Sequence, residues 1–408
     1  MTSAGRPRLG LVVPSLAGNG GVQAVARFIR NVVVQSGQFD LQVVSLPESS
    51  RDPHSLRLTA PPSWVRGAGV APGEWEGTPF VHVGAVASEL EFRRYRPRHA
   101  LTRLLADCDV VQVVCGFPAW ANAVLDAGRP VSVHVATLAR LERRRRDANA
   151  RGLPARWRRL MTGMTDRLDD RALRRVDAIQ VMNPWMLKYS KTLNAGRQVD
   201  LRYLPPGIDT RAFRPLDRER PAQAGYILCV GRLHDPRKRM DVLLDAYARL
   251  PDGVRHCANL VLAGSRPPPE AFWSHAEMLG LRNRIRYVER PTDDALLLLY
   301  QEASVFASSS DEEGFGMVLL EAMACGVPVV STCSGGPEGI VTDGVDGYLV
   351  DRDDASALAA RLTHLLEDRT LNTRMGANAR ETIERRYDER VAGPAFLEIW
   401  NRLAHKVG

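Results

Sequence analysis

Residues 304–331 read SVFASSSDEEGFGMVLLEAMACGVPVVS, and this stretch decides the fold of the second half of the chain. The apolar runs 304–307 and 328–331 have the length and composition of buried strands, and residues 318–325 between them have the pattern of a helix. Strands that are apolar on both faces belong in a parallel sheet covered by helices. The stretch therefore predicts two neighbouring strands of such a sheet, joined by a crossover helix.

The same alternation of strand and helix patterns continues outward along nearly the whole chain. In the first half, strands are predicted over residues 8–13, 41–46, 80–84, 110–114, 131–135, 178–182 and 201–204. In the second half, they are predicted over residues 226–230, 260–263, 285–288, 304–307, 328–331 and 348–350. The pattern indicates an α/β protein of two doubly wound, Rossmann-like domains.

A cluster of prolines within residues 205–223 predicts the boundary between the domains, because proline interrupts regular structure. We predict an N-terminal domain over residues 1–215, a C-terminal domain over 216–387, and a terminal helix over 388–408 that packs back on the first domain. Ligands of open parallel sheets bind beyond the carboxyl ends of the strands, so two such domains facing each other would form a binding cleft. Residues 51–77, rich in proline, glycine and tryptophan, are predicted to form a long loop.

Composition excludes several classes of protein. No run approaches the roughly 18 apolar residues of a membrane span, and the N-terminus lacks the apolar region and cleavage site of a secretory signal. We therefore expect a cytoplasmic protein. The six cysteines are scattered, without a C-x-x-C pair or a histidine at ligand spacing, which favours free thiols over a zinc site or disulfides.

The formal net charge of +8 is concentrated in part of the chain. Residues 140–175 contain thirteen arginines against five acidic residues. One interpretation is a pair of solvated helix faces. The other is an electrostatic surface for an anionic acceptor or for the inner face of a membrane. Nucleic acid is not favoured, because no nucleic-acid-binding signature accompanies the arginines.

A basic motif follows the first strand of the second half. Gly231 and Arg232 are followed by the run Arg237, Lys238 and Arg239, which leads into a helix. Fixed cations at the carboxyl end of a strand suit a pyrophosphate that no metal neutralises, with arginine binding oxygens as a fork and lysine as a point charge. The alternative is a set of solvated charges at a helix start, which the helix dipole opposes.

An acidic motif lies within the opening stretch. Glu313 precedes a glycine-flanked turn that opens a helix, so its carboxylate is expected beside free N–H groups. Glu321 lies about two turns further along that helix. The two carboxylates can therefore contact two different parts of one elongated ligand.

Two further glycine loops and one histidine complete the candidate set. Gly20 and Gly21 follow the first strand, but their spacing departs from G-x-G-x-x-G and no acidic residue ends the second strand, so dinucleotide binding is disfavoured. Gly335 and Gly336 form a similar loop before a helical turn. His134, at the end of a first-half strand, is either structural or functional.

Together these residues resemble the retaining GT-B glycosyltransferases of family 4, which include mannosyl- and N-acetylglucosaminyltransferases of actinobacteria. The resemblance covers nearly the whole chain and is most specific over residues 231–238 and 313–330. It implies two Rossmann-like domains facing across a cleft. The donor-binding residues that it implies are Gly231, Arg232, Lys238, Glu313, Gly314, Phe315, Gly316, Met317, Val318 and Glu321.

The resemblance also implies roles. Arg232 and Lys238 would hold the donor diphosphate, Glu313 would contact sugar hydroxyls, and Glu321 would bind the ribose. Backbone amides of residues 314–318 would line the sugar and phosphate.

In the first domain, the resemblance places the Gly20–Gly21 loop near the reacting centre and the acceptor. It places His134 beside the donor sugar. The implied catalytic residues are Arg232, Lys238, Glu313 and His134.

The implied reaction retains the anomeric configuration and needs neither metal nor cofactor, since the nucleotide sugar is a co-substrate. The two D-x-D sequences, at 107–109 and 351–353, lie away from the phosphate motifs and are interpreted as chance. UDP is the predicted nucleotide. The acceptor stays open between an aminocyclitol, a phosphorylated polyol and a glycan or lipid intermediate, as does the oligomeric state. Alternatives are a pseudo-glycosyltransferase, a nucleotide-sugar epimerase, and a non-catalytic, membrane-associated subunit that binds sugar nucleotides.

Overall fold

The computed structural model describes residues 6–18, 20–149, 151–216 and 225–406, and the chain divides into two compact units. The first unit comprises Met1–Pro206 with Ala392–Gly408, and the second comprises Gly207–Val391. The division lies within residues 205–223, the stretch predicted to hold the boundary, and precedes residue 215, because the segment after Pro206 already bonds within the second unit. The Ile208 N–H donates to the Tyr387 carbonyl at 2.7 Å, for example. The remainder of the predicted boundary, residues 217–223, lies outside the described residues.

The first unit is built on an eight-stranded sheet of order β3-β4-β2-β1-β5-β6-β7-β8. Its strands are β1 (Arg8–Val13), β2 (Asp40–Ser45), β3 (Val70–Trp75), β4 (Thr78–Val83), β5 (Val110–Cys115), β6 (Val131–Val135), β7 (Ala178–Val181) and β8 (Asp200–Tyr203). All neighbours pair in parallel except β3 and β4.

Helices cover both faces of this sheet, as buried parallel strands require. They are α1 (Gly21–Ser36), α2 (Pro62–Arg66), α3 (Glu91–Arg94), α4 (His99–Leu105), α5 (Ala139–Asn149), α6 (Gly152–Leu173) and α7 (Pro184–Leu193), with a 3-10 segment over Pro118–Ala123. Of the helices in the described ranges, none has the length and apolar character needed to cross a bilayer.

The C-terminal helix, Glu389–Ala404, belongs to the first unit from Ala392 onward. Its Phe396 packs edge-on against Phe28 of α1, with ring centroids 5.2 Å apart. Its Trp400 donates an indole N–H to the buried Gln112 of β5 at 2.8 Å. The aromatic side chains thus supply both apolar contact and the partner that a buried amide requires.

The segment 51–77 is not the continuous loop that its composition suggests. It contains α2 and the edge strand β3, which pairs antiparallel with β4. Pro72 and Gly73 are tolerated because β3 is an edge strand with one unpaired side. The turn that joins β3 and β4 is anchored to α1, because Glu76 accepts hydrogen bonds from Arg27 and Arg30 of that helix.

The second unit is built on a six-stranded sheet of order β11-β10-β9-β12-β13-β14. Its strands are β9 (Tyr226–Val230), β10 (Asn259–Gly264), β11 (Ile285–Glu289), β12 (Val305–Ser308), β13 (Val329–Thr332) and β14 (Gly347–Val350), all parallel. Its helices are α8 (Met240–Ala248), α9 (Asp252–Cys257), α10 (Glu270–Met278), α11 (Asp293–Glu302), α12 (Met317–Ala324), α13 (Pro337–Ile340), α14 (Ala355–Glu367) and α15 (Arg369–Arg386). The C-terminal helix is then α16. The predicted fold class, two doubly wound Rossmann-like units, is confirmed.

Close backbone contacts define the carboxyl edge of the second sheet. A Cβ atom at Gly264, which ends β10, would lie 2.2 Å from the carbonyl oxygen of Gly231 in the β9 loop. A Cβ atom at Gly336, after β13, would lie 2.1 Å from the carbonyl oxygen of Phe315 in the β12 loop. Only glycine permits these approaches. The loops after neighbouring strands are therefore packed against one another.

Candidate functional site

The loop after β9 is held by a buried acid that the sequence analysis did not single out. Asp235 is 7% exposed, caps the 3-10 turn Pro236–Lys238, and accepts a fork of hydrogen bonds from the Arg237 side chain. Arg237 also donates to Glu312 at 2.6 Å. Burial opposes ionisation of Asp235, but Arg237 outweighs it and holds the pKa of that carboxyl well below its usual range. Arg237 is therefore part of the scaffold.

The loop after β12 is bonded to the β9 loop. The Ser309 hydroxyl donates to the carbonyl oxygens of Lys238 and Arg239 at 2.8 and 2.9 Å, and the Asp311 N–H donates to the Arg237 carbonyl at 2.7 Å. These bonds fix the basic loop beside the acidic one. They leave the Lys238 side chain directed toward the β12 loop.

Lys238 and Glu313 form the central ion pair of the site. The Lys238 Nζ lies 2.5 Å from Glu313 Oε2, and the two side chains are 15% and 21% exposed. Burial raises the pKa of Glu313, but Lys238, Arg237 and Arg232 outweigh burial and hold it below its ordinary value. Glu313 is thus ionised at neutral pH, within a cluster of cations.

Arg232 is the cation of this cluster that is open to solvent. Its guanidinium is exposed and makes no hydrogen bond to any residue in the described ranges, although its charge lowers the pKa of both Asp235 and Glu313. A guanidinium so placed can bind an incoming anion without first breaking a bond to the protein.

The loop after β13 is the third loop that surrounds the Lys238–Glu313 pair. The Glu313 N–H donates to the Ser334 carbonyl at 2.9 Å, and the Gly336 N–H donates to the Glu313 carbonyl at 2.8 Å. The predicted Gly335–Gly336 loop therefore fixes the backbone of Glu313. Loops from three neighbouring strands meet at this point.

Helix α12 begins within this cluster. No side chain within the described residues caps its N-terminus at Gly316, so its first N–H groups and the positive end of its dipole suit an anion. Gly314, Met317 and Val318 are half-buried, whereas the Phe315 side chain is 3% exposed and packs on Tyr387. Phe315 therefore offers only its backbone.

Glu321 lies on α12 and is fixed by a residue that the sequence analysis did not single out. The hydroxyl of the fully buried Tyr300 on α11 donates to Glu321 Oε2 at 2.5 Å. Burial and the neighbouring Glu321 charge raise the pKa of Tyr300 well above its usual value, so the phenol stays a donor. The structure thus brings Arg232, Lys238, Glu313 and Glu321 to the β9 and β12 loops and α12 of the second unit.

In the first unit, the predicted loop before α1 is held by its own side chain. Gln23 accepts from the Gly20 N–H at 3.1 Å and donates to the carbonyl oxygens of Ser15 and Ala17 at 3.0 and 3.3 Å. Gly21 is exposed at the start of the helix. The loop is therefore fixed by the uncharged Gln23 side chain.

His134 lies in the core, which corrects the expectation that it faces a sugar. Its side chain has no exposed surface, its Nε2 donates to the Leu204 carbonyl at 2.9 Å, and its ring packs edge-on against Phe396. Burial lowers the pKa of His134 to about 4, so the ring is neutral. In this arrangement a ligand cannot reach the imidazole, and the structural alternative is favoured.

One aspartate of each D-x-D sequence contacts an arginine residue. Asp109 accepts from the Arg8 N–H at 2.6 Å, and Asp353 pairs with Arg239. Within the described ranges, no three His, Cys, Asp or Glu side chains are grouped so that they could hold a metal ion.

Comparison with known proteins gives a consistent result. Residues 216–382 match the family described as glycosyl transferases group 1. A GDP-mannose-dependent alpha-(1-6)-phosphatidylinositol monomannoside mannosyltransferase of Mycolicibacterium smegmatis is 29% identical over 73% of this chain and 78% of the relative. A D-inositol 3-phosphate glycosyltransferase of Xylanimonas cellulosilytica is 36% identical over 49% of this chain, and the match spans 51% of that relative's length.

The fold has solved counterparts. HepE of Anabaena, in complex with UDP-glucose, superposes with a TM-score of 0.69 over 97% of this chain and 99% of its own, at 16% identity. At that identity the likeness concerns the fold alone.

Proposed function

We propose that the chain transfers a hexosyl group from a nucleotide diphosphate sugar to an acceptor hydroxyl, with retention of configuration. The premise of this proposal is that the chain belongs to the group 1 glycosyltransferases of family 4, which have the GT-B fold. The observation that carries the proposal is the Lys238–Glu313 ion pair, with the open Arg232 beside it and the α12 N-terminus adjacent. These are the groups that a sugar diphosphate needs in one place.

Arg232 and Lys238 are assigned to the donor diphosphate, and Glu313 to the sugar hydroxyls. On binding, the ammonium of Lys238 would exchange its carboxylate partner for a phosphate oxygen. Glu313 would then accept hydrogen bonds from the sugar. Glu321, oriented by Tyr300, is assigned to the ribose.

The proposed step is a front-face substitution. The bond between the anomeric carbon and the β-phosphate oxygen breaks as the acceptor oxygen bonds to the same face. The acceptor proton passes to the leaving diphosphate. Arg232 and Lys238 stabilise the charge that grows on that leaving group, a preorganised electrostatic role, and no protein nucleophile is required.

GDP-mannose is the donor that we propose first. The relative matched over most of its length is described as GDP-mannose-dependent, whereas HepE binds UDP-glucose at an identity that compares folds only. UDP sugars, predicted from the family resemblance, are the second candidates. Two relatives are described as acting on inositol-containing acceptors, so we propose a phosphorylated cyclic polyol, free or lipid-linked, as the acceptor class.

Thermal shift with GDP and UDP tests donor binding first, because a ligand at 100 times its Kd stabilises by about 2.7 kcal/mol. Glu321→Gln should reduce the shift, and the matched control Glu381→Gln, which alters an exposed glutamate on α15, should not. Absence of a shift with both nucleotides would contradict the donor assignment.

Turnover is tested by incubating the full chain with GDP-mannose or UDP-glucose, with and without inositol 3-phosphate. We expect acceptor-dependent release of the nucleoside diphosphate and a product whose anomeric configuration, read by NMR, equals that of the donor. An inverted product would overturn the retaining mechanism. Conversion of the donor sugar without acceptor would identify an epimerase instead.

A further inference from the structure

Five of the thirteen arginines within residues 140–175 form two groups that differ in their contacts, and the first group belongs to the fold. Arg140 pairs with Asp166 at 2.8 Å, and Arg143 pairs with Glu91 of α3. The two guanidinium groups also lie over the rings of Tyr189 and Phe117, respectively. These side chains tie α5 to its neighbours and are not available to a ligand.

The second group lies on one face of α6. The side chains of Arg156, Arg167 and Arg171 are exposed and make no hydrogen bond or ion pair with any residue that the structure describes. The helix has no spare acid to neutralise them. Its three aspartates are engaged elsewhere: Asp166 by Arg140, Asp169 by the N–H groups of Ala119 and Ala139, and Asp170 by the Tyr189 hydroxyl.

The same face carries exposed apolar side chains. Leu153, Trp157 and Leu160 are 77%, 52% and 54% exposed. The positions 153, 157, 160, 164, 167 and 171 follow one another at alternating spacings of four and three residues, so they form one stripe along the helix. This stripe, which we name the α6 face, is apolar toward the start of the helix and cationic toward its end. At 1.5 Å per residue it is about 27 Å long.

The opposite side of α6 is what anchors the helix to the first unit. Ala155, Met161, Thr165 and Asp169 are buried there. The α6 face is therefore not the core-facing side of an amphipathic helix but a second apolar stripe, which has no partner among the described residues. Leaving three large apolar side chains in water is unfavourable by about 25 cal/mol per Å² of their surface.

We propose that the α6 face binds the surface of a membrane that contains anionic lipids. Leucine and tryptophan side chains enter the boundary between headgroups and acyl chains, while arginines bind lipid phosphates as forks. Charge favours this occupant over a second copy of the chain. Arg156 lies beside the apolar residues, so two copies paired through this stripe would bring like charges together. The proposal does not depend on the proposed transferase activity.

Vesicle sedimentation with the full chain tests the proposal. We expect binding to vesicles made of phosphatidylcholine and phosphatidylglycerol and little binding to phosphatidylcholine alone. Binding should fall with salt, because the Debye length shrinks from about 10 Å at 0.1 M to about 3 Å at 1 M. The triple variant Arg156→Gln, Arg167→Gln, Arg171→Gln should partition on the order of 100-fold more weakly, since each arginine near an anionic surface contributes about fivefold.

Matched controls separate the α6 face from general charge and apolarity. Arg158→Gln alters an exposed arginine on another side of the same helix, and Met278→Ser with Leu279→Ser alters exposed apolar residues of the second unit. Both controls should bind as the unaltered chain does. Leu153→Ser with Trp157→Ser and Leu160→Ser should weaken binding to the anionic vesicles in the same sedimentation assay.

Three results would overturn the proposal: equal binding to neutral vesicles, full binding by the triple arginine variant, or loss of self-association in the Leu153, Trp157 and Leu160 variant. The last result would identify the face as a contact between copies. Circular dichroism and Tm of each variant verify folding. The assay contains no nucleotide sugar, so its failure would leave the transferase proposal standing.

Discussion

The end of β6 and the ends of β9 and β12 present polar side chains at corresponding places of two similar sheets, yet they differ in kind. At β6, His134 is enclosed, neutral and bonded to one carbonyl. At β9 and β12, Lys238 and Glu313 form an ion pair that is partly exposed and fixed by loops from three strands. A strand-end position alone therefore does not mark a functional group. The region after β9 and β12 differs because it holds an ion pair, Lys238 and Glu313, whose two groups could each bind a different part of a ligand.

Lys238→Ala is the most direct test of this comparison between the two regions. We expect turnover to fall by about 10²–10³-fold, the cost of losing one donor that stabilises developing charge. The fold should persist, because Asp235, Arg237 and Ser309 hold the loop without the ammonium. Steady-state kinetics and Tm give the two readouts.

The control for this variant is Lys191→Ala, which removes an exposed lysine from α7 of the first unit. It should leave turnover and Tm unchanged. Near-normal turnover in a folded Lys238→Ala protein would remove Lys238 from the mechanism and make the two regions equivalent.

We expect His134 to make the free energy of unfolding depend on pH and to have little effect on turnover. The pKa of His134 is about 4 in the folded chain, against 6.5 when unperturbed. Protonation therefore favours the unfolded chain: the contribution of the neutral ring is complete above pH 6.5 and is lost as pH falls toward 4. The loss amounts to about 3 kcal/mol for a shift of this size.

Urea unfolding between pH 7 and 4, compared with His134→Gln, measures this contribution. The variant should lose that part of the pH dependence while its turnover at pH 7 stays within a few-fold of the unaltered chain. A large drop in turnover with unchanged stability would return His134 to the active site.

Tyr300→Phe sharpens the comparison within the second unit. It removes the hydroxyl that donates to Glu321, and a hydrogen bond to a charged group contributes about 1.5–3 kcal/mol. We expect a lower Tm and a several-fold higher KM for the donor, with kcat nearly unchanged. A change in kcat alone would contradict a positioning role.

Excess EDTA should have no effect on turnover. Arg232, Lys238 and the α12 N-terminus are assigned the charge of the diphosphate, which leaves no task for a divalent cation. Loss of activity that Mn²⁺ restores would show that the cationic cluster is insufficient.

Much of the fold follows from the sequence, because buried parallel strands must be apolar on both faces. The strands β1, β6 and β9 have the bounds that their patterns predict. The strand β3 was missed because its sequence VAPGEW has no apolar period, and its pairing with β4 alone makes it a strand. The short helices α9 and α10 likewise depend on packing.

The candidate site, like the fold, could be predicted from the sequence only in part. Strand-end position and glycine turns suffice to bring Lys238 and Glu313 to one edge of a sheet. Tyr300 and Asp235 could not be assigned, because their partners are set by tertiary contacts that leave no periodic trace. A proline that follows Asp235 was the one local signal, since this pair is typical of a capped turn.

The Lys238–Glu313 pair also has a consequence for selectivity. A ligand that binds the Lys238 ammonium must displace the Glu313 carboxylate, which is already in contact with it. Under the proposed function, the affinity for the donor is a difference between two ion pairs, and an uncharged nucleoside cannot replace the carboxylate as the partner of the ammonium. Under the proposed mechanism, this competition weakens as the departing diphosphate becomes more negative, so Glu313 destabilises the ground state more than the transition state.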